Sequence, residues 1–458
     1  MSQLGTADRP LRVAVIGSGP SGFYATETLL TSLDLKVSVD IFDRLPAPYG
    51  LVRYGVAPDH PKIKNVVKIY EKTADNPAVS FLGNVHVGKD ILIEEIRRFY
   101  DAVIFTCGAQ SDRQLGIPGE TLDGCHSATE FVAWYNGHPD YRQKTFDLSH
   151  ETAAVIGQGN VAMDVSRILC KTVEELKGTD IAKHALEALA ESKIKEVHVI
   201  GRRGPIQAAF TPVEIREFGD LADCDPVLDP AYLKIRPESE IELEDPTNLQ
   251  AKKNFEVLKS FSARPPSQKQ KRFIIHFHKS PQKLLGSGRL NKLVLEKNRL
   301  VGPPGKQQAE GTGVFEEMAC GLVLYSIGYR GVPIPGIPFD TKKGTFSNIE
   351  GRVMEGGHAI PGLYCAGWIK RGPTGVIGTN KPDSVMTVQK ILADLPQLKP
   401  CETPDSGAVK KLLKEREIRV VSFPDWKKID AAEIEFGKTA GKPREKFVTV
   451  EDMLHVIH

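Results

Sequence analysis

A chain of 458 residues exceeds one ordinary domain, so two or three are expected, each large enough for its own core. Its 60 Lys and Arg against 58 Asp and Glu leave a formal net charge of +2, which argues against a nucleic-acid binder carried by bulk charge and requires any acidic partner to be met by a local basic patch. No apolar run reaches membrane-spanning length, so any membrane contact is expected to be peripheral, and the first predicted strand begins about ten residues in, which leaves no room for a leader peptide.

The first element in chain order is an apolar run from Leu11 to Ile16, fit for a buried parallel strand, and the residues from Phe23 to Leu33 read as a helix. Between them stands Gly17-Ser18-Gly19-Pro20-Ser21-Gly22, in the strand, glycine turn, helix order that a dinucleotide fingerprint requires. The glycines permit a tight turn and close approach of backbone to pyrophosphate, while the helix start offers unpaired N–H groups to the phosphates. A second strand, Val37 to Phe42, ends at Asp43, which lies 43 − 22 = 21 positions past Gly22, against ~20 expected for a ribose ligand.

A second unit repeats the order. Thr152 to Ile156 is its strand, Gly157-Gln158-Gly159-Asn160-Val161-Ala162 its turn, and Val161 to Leu169 its helix; Ala162 stands where only close helix packing is needed. After a helical excursion from Lys171 to Lys193, the strand Glu196 to Gly201 ends not in an acid but in Arg202-Arg203. Paired guanidiniums match a 2′-phosphate, whereas an acid matches a free ribose hydroxyl. The two sites are therefore expected to hold FAD and NADP(H) respectively.

Two apolar strands, Ala102 to Ala109 and Gly321 to Gly328, mark the expected crossings between domains. The predicted fold is α/β, with two Rossmann-like dinucleotide-binding domains: a discontinuous FAD domain from 1–107 and 328–458, and an NADP(H) domain, 108–327, inserted into it. The polar stretch from Pro237 to Gln270 is expected to be surface elaboration with a short amphipathic helix at Phe255, Val257, Leu258 and Phe261, and its Lys252, Lys253 and Lys259 are the best basic-patch candidates. The basic tail around Lys442 and Arg444 is the alternative.

Near the C-terminal side, Gly362 to Trp368 reads as the last strand of the FAD domain, followed by a glycine-rich turn, Ile369 to Gly378, and a helix to about Leu392. A helix start with close backbone approach suits the flavin edge, where negative charge develops on reduction. The seven cysteines are scattered with no C-x-x-C pair, which disfavours a disulfide framework, a zinc ribbon, a bound iron–sulfur cluster and the redox pair of disulfide-reducing flavoproteins. No metal site is expected.

The chain resembles the adrenodoxin reductase family of ferredoxin–NADP(+) reductases over nearly its whole length. The most specific runs are Pro48 to Pro61, Gly201-Arg202-Arg203-Gly204-Pro205 and Lys370 to Ile377, and beyond Pro400 the tail is similar to the extended mitochondrial-type members. The resemblance implies that Asp43 stands where the family has a glutamate on the FAD ribose, a shorter acid that leaves room for a bridging water. It places Leu51, Val87 and Trp368 at FAD, with Gly375, Val376 and Ile377 along the isoalloxazine. It also places Asn160 and Val161 at the NADP(H) pyrophosphate, Arg202 and Arg203 at the 2′-phosphate, and Glu214 near the nicotinamide, where Trp368 and Gly375 are further contacts. His60 is implied to pair with Glu214 close to the flavin, these two being the catalytic candidates, and Arg216 joins the partner-binding lysines. Where most two-nucleotide flavoproteins carry an aspartate, this chain has Trp368.

The function implied is NADPH to FAD to a two-iron, adrenodoxin-like acidic ferredoxin that supplies haem monooxygenases or iron–sulfur metabolism. The protein is expected to be a monomer, in a bacterial cytoplasm or alternatively in a mitochondrial matrix after presequence removal. A flavin monooxygenase or quinone reductase is the alternative within the same chemistry, and a non-catalytic NADPH-sensing flavoprotein the one outside it.

Overall fold

The computed structural model describes residues 3–265 and 267–457. Among them, seven strands form one sheet in the order Asn348–Ile349, Arg352–Glu355, His358–Cys365, Ala102–Phe105, Leu11–Ile16, Val37–Phe42 and Val79–Leu82. The last five of these run parallel, with Val13 beside Val39 on one side and Ala102 on the other. Every residue of Leu11–Ile16 is buried, which explains why this central strand is an unbroken apolar run apart from Arg12. Arg12 is tolerated because its guanidinium donates to Asp40 at 2.7 Å and to Ser38 at 2.6 Å.

A second sheet of six parallel strands runs Cys125–Ser127, Leu322–Tyr325, Thr152–Ile156, Glu196–Ile200, Lys271–His276 and Cys224–Leu228. Its strands come from the middle of the chain, and those of the first sheet from both ends. The chain thus passes between sheets twice, and the two connecting segments pair antiparallel, Ser111 with Arg330 and Asp112 with Tyr329.

The helix Leu249–Ser262 corrects one sequence expectation. It is not surface elaboration: Phe255, Val257, Leu258 and Phe261 are all buried, most of them in the core of the second sheet, and only its lysine face is exposed. The sequence reading also lacked a three-stranded antiparallel sheet, Lys279–Ser287, Arg289–Val301 and Gln308–Ala319, which extends from the second domain.

The C-terminal tail corrects another expectation, because its basic residues face inward. Helix Phe423–Thr439 buries Trp426 and Ile429 against the first sheet. Beyond it Lys442 Nζ donates to Ile181 O at 2.6 Å, and Arg444 donates to Asp430 at 2.6 Å and Glu433 at 3.2 Å. Lys446, 4 % exposed, lies 3.1 Å from Asp180, which also accepts from Lys64 at 2.6 Å. One carboxylate is therefore shared by two lysines from opposite ends of the chain. Burial, and repulsion from Lys64 and Arg53, push the Lys446 ammonium down to about 7 against the pull of Asp180. The tail straps the two halves together and presents no docking face at Lys442 or Arg444.

Candidate active site

Two glycine turns of the same construction cap the two sheets. Gly17 has φ +112°, and a Cβ there would lie 2.6 Å from Thr106 O, the carbonyl just past the neighbouring strand. Gly157, with φ +129°, meets Ser326 O at 2.3 Å in the same relation. Only glycine closes either turn. At Gly22 a Cβ would stand 2.2 Å from Gly17 O, which enforces close helix packing, whereas Ala162 fits fully buried in the second helix. By contrast, a Cβ on Gly19 or Gly159 would meet nothing within 4 Å. Each middle glycine therefore opens onto a space at a helix start, Pro20–Thr31 and Asn160–Cys170, that fits a pyrophosphate.

Asp43 sits at the end of its strand as expected. Its carboxylate accepts from Ser18 N at 3.1 Å, from Ser18 Oγ, and from Leu45 N at 3.0 Å. With about four acceptor sites on a carboxylate, roughly one remains for a ribose hydroxyl unless Ser18 rotates. Ser21 Oγ donates to Asn380 Oδ1 at 3.0 Å, which ties the first turn to helix Asn380–Asp394.

Ahead of that helix, Gly375 (φ +79°) and Val376 are exposed, Ile377 is half-buried, and Trp368 donates to Thr374 O at 3.2 Å while its ring lies 5.3 Å from that of Tyr329. Leu51 is exposed, and Val87 is buried in the core of the first unit.

In the second turn Asn160 Oδ1 accepts from Thr211 N at 2.9 Å, and the half-buried Val161 packs on the core. Arg202 and Arg203 are exposed at their strand end and, among the described residues, face no carboxylate at ion-pair distance. Partial burial and repulsion from Arg202 lower the pKa of Arg203, so the pair is poised for an anion.

Between the cradles lies a buried charge cluster that sequence reasoning found only in part. Arg167, with a fully buried side chain, binds Asp59 at 2.7 and 3.1 Å, Asp164 at 2.6 Å, Glu214 at 2.8 Å and Glu217 at 3.2 Å. Lys171 adds a contact to Asp59 at 3.0 Å. Arg167 joins the Pro48 to Pro61 segment of the first unit to the helices Asn160–Cys170 and Pro212–Glu217 of the second. The signal was present, since Asp164 and Arg167 interrupt the otherwise apolar inner face of the helix after the second glycine turn.

His60 and Glu214 come within ion-pair distance of each other, and a second carboxylate, Glu217, stands closer to the ring. His60 Nε2 shares a hydrogen bond with Glu217 at 2.9 Å, while Nδ1 lies 3.8 Å from Glu214 and 3.9 Å from Asp164. Burial works to lower the His60 pKa, but the Glu217 bond and the charges of Glu214 and Asp164 outweigh it together with the opposing Arg167, so the net shift is upward. Burial, aided by Asp164, lifts Glu214 to about 7 against the pull of Arg167 and His60. Glu217 goes the other way: burial would raise it, yet His60 and Arg167 hold it below its ordinary value. The cluster thus contains one carboxyl group that titrates near neutrality beside an imidazole held toward its charged form.

Of the partner-binding candidates, Arg216, Lys252 and Lys253 are exposed. Lys259 is engaged with Glu256 at 2.9 Å and with the Phe255 ring at 4.8 Å. All seven cysteines are free, and no helix among the described residues is long and apolar enough to cross a membrane.

Two glycine-turn cradles, each on its own largely parallel sheet, with a buried titratable cluster linking the two units, define a pyridine-nucleotide oxidoreductase, and the pyridine nucleotide-disulphide oxidoreductase family matches residues 11–218. NADPH-ferredoxin reductase FprA of Mycobacterium tuberculosis is 45% identical over 459 residues, 98% of this chain and 99% of that protein. The mitochondrial NADPH:adrenodoxin oxidoreductase of Homo sapiens is 43% identical over 99% of this chain and 93% of its own length. The solved structure of M. tuberculosis FprA in complex with NADPH superposes with a TM-score of 0.92 at 44% identity, covering 98% of this chain and 100% of that one. The chain belongs to the adrenodoxin reductase and FprA family of NADPH-dependent reductases.

Proposed function

We propose that this chain is an FAD-dependent ferredoxin–NADP(+) reductase, with FAD held by residues 1–107 and 328–458 and NADP(H) by 108–327. The observation that carries this reading is the contrast between the two cradles: Asp43 ends the strand beside one, and the exposed Arg202-Arg203 pair ends the strand beside the other.

When bound, FAD supplies two-electron uptake and one-electron return, which is what links a nicotinamide to an iron–sulfur partner. The chain's own residues bind and orient. Gly17, Gly19, Ser21, Gly22 and Asp43 hold the FAD pyrophosphate and ribose; Leu51, Val87 and Trp368 are further FAD contacts, and Gly375, Val376 and Ile377 lie along its isoalloxazine. Gly157, Gly159, Asn160 and Val161 receive the NADP(H) pyrophosphate, and Arg202 and Arg203 its 2′-phosphate. Glu214 faces the nicotinamide, and His60, braced by Glu217, holds a proton at Nε2 beside it. Holding the reacting rings together and excluding water is the main catalytic contribution of such a site.

Arg216, Lys252 and Lys253 are the exposed charges proposed to meet an acidic two-iron ferredoxin, with Lys259 in support. The relatives' names support a ferredoxin or adrenodoxin acceptor. A monomer working in a bacterial cytoplasm or a mitochondrial matrix fits this role. Steady-state assays of NADPH oxidation with a panel of two-iron ferredoxins test the proposal. Ferredoxin-dependent turnover is expected; prompt oxygen consumption tied to a small organic substrate would favour a monooxygenase instead.

A further inference from the structure

We infer that Asn298, on the three-stranded sheet outside the Rossmann-like core, is a positioning residue that sets the preference for a 2′-phosphorylated coenzyme. The inference rests on the proposed role of Arg202 and Arg203. The loop that carries them leaves its strand at Gly201, and its three consecutive carbonyls are all bound from one side. Gly201 O accepts from Lys279 N at 3.0 Å, Arg202 O from Asn298 Nδ2 at 3.0 Å, and Arg203 O from His278 N at 3.0 Å.

Asn298 is the junction of this grip. Its backbone N–H donates to His278 O at 2.7 Å, and its side-chain amide also reaches Ser280 Oγ at 2.7 Å. His278 has φ +54°, a left-handed conformation uncommon for a residue with a side chain, which turns its N–H toward Arg203 O and its C=O toward Asn298. One residue thus satisfies the strained turn and the clamp loop together.

The physical consequence is orientation. With its carbonyls held by the three-stranded sheet, the loop fixes the backbone that carries two exposed guanidiniums, which repel each other. Without Asn298 Nδ2 the Arg202 carbonyl loses its partner, and the loop can relax to separate the two charges. The ordering needed to bring them back onto one phosphate would then weaken binding of that phosphate alone. Loss of one such bond corresponds to about a three- to tenfold change in affinity.

Calorimetric titration of the full chain with 2′,5′-ADP and with 5′-ADP, which lacks the 2′-phosphate, tests this. Asn298→Ala should weaken 2′,5′-ADP about three- to tenfold and leave 5′-ADP within about twofold. Ser280→Ala should have a smaller effect in the same direction. Should the alanine variant not fold, Asn298→Leu keeps about the size, removes the donor without adding a charge and should show the same selective loss. Equal weakening of both ligands, or no weakening of either, overturns the inference while the clamp stands. A wild-type protein that binds the two ligands equally overturns the clamp, and this inference with it.

Discussion

His60 is hydrogen-bonded to Glu217 at 2.9 Å, and Glu214 stands farther away at 3.8 Å from the other ring nitrogen. The two glutamates, one helical turn apart, therefore divide the work. Glu217 keeps its charge and braces the imidazole, while Glu214 is buried enough to titrate at about 7. The group is anionic above that pH and neutral below it. An anion beside the nicotinamide favours the cationic oxidised ring over the neutral reduced one. The affinity for NADP(+) relative to NADPH should rise severalfold between about pH 6 and 8, and Glu214→Gln should flatten that rise. A rise that persists unchanged in the variant would assign the titration to another member of the cluster.

Glu217→Gln should act on His60. The Glu217 bond is the strongest influence raising the His60 pKa against burial, so its loss should lower that pKa. NMR titration of the ring should show the drop directly, with the fold intact by circular dichroism. An unchanged His60 titration would mean that Asp164 and Glu214 alone hold it.

Replacing Arg202 and Arg203 with alanine should, if the proposed clamp holds the 2′-phosphate, remove charge-assisted bonds of roughly 1.5–3 kcal/mol each. The Michaelis constant for NADPH should rise at least about tenfold, on the same principle, with that for NADH nearly unchanged. Equal effects on the two coenzymes would sink the clamp assignment.

Gly375→Glu should purify with depleted or slowly reduced flavin. The position has φ +79°, and a Cβ there would lie 2.3 Å from Thr379 Oγ1, so the substitution strains the turn as well as adding negative charge where reduction would add more. Normal flavin content together with normal reduction would place the isoalloxazine elsewhere.

These predictions differ in how far the sequence alone would have reached them. Both glycine turns, their strands and Arg202-Arg203 were legible because buried parallel strands are apolar runs and turn glycines are irreplaceable. The Lys279–Ala319 sheet was not, since its strands are largely exposed, rich in charge and interrupted by Gly286, Gly311 and Gly313. The Arg167 cluster was legible only in part, through Glu214 and the charges that interrupt one helix, because its carboxylates lie at 59, 164, 214 and 217 and meet only in the folded chain. The inward turn of Lys442 and Lys446 was hidden for the same reason: Asp180, which balances Lys446, is far away in sequence.

That balance can be tested by stability. Asp180→Asn leaves Lys64 and Lys446 with no carboxylate between them, and breaking a buried ion pair costs about 3–5 kcal/mol. The melting temperature should fall by several degrees. A melting temperature unchanged within a degree would show that the strap does not hold the two halves.

Partner docking should depend on salt. Exposed charges are screened over ~8 Å at physiological ionic strength, so ferredoxin turnover should slow as salt rises, and turnover with a small neutral acceptor should change far less. Lys252→Glu and Lys253→Glu should each weaken ferredoxin turnover more than Lys259→Glu, because Lys259 is already paired with Glu256. If hydride transfer from NADPH fell in parallel, the lysines would be structural.

The most direct test of electron transfer from NADPH through FAD to ferredoxin is an anaerobic double-mixing stopped-flow experiment. The protein is first mixed with one equivalent of NADPH and then with an oxidised two-iron ferredoxin. The account predicts that NADPH bleaches a yellow flavin absorbance much faster than NADH does, and that ferredoxin is then reduced as that absorbance returns. A protein whose flavin bleaches but returns only on admission of oxygen, with the ferredoxin still oxidised, would contradict it.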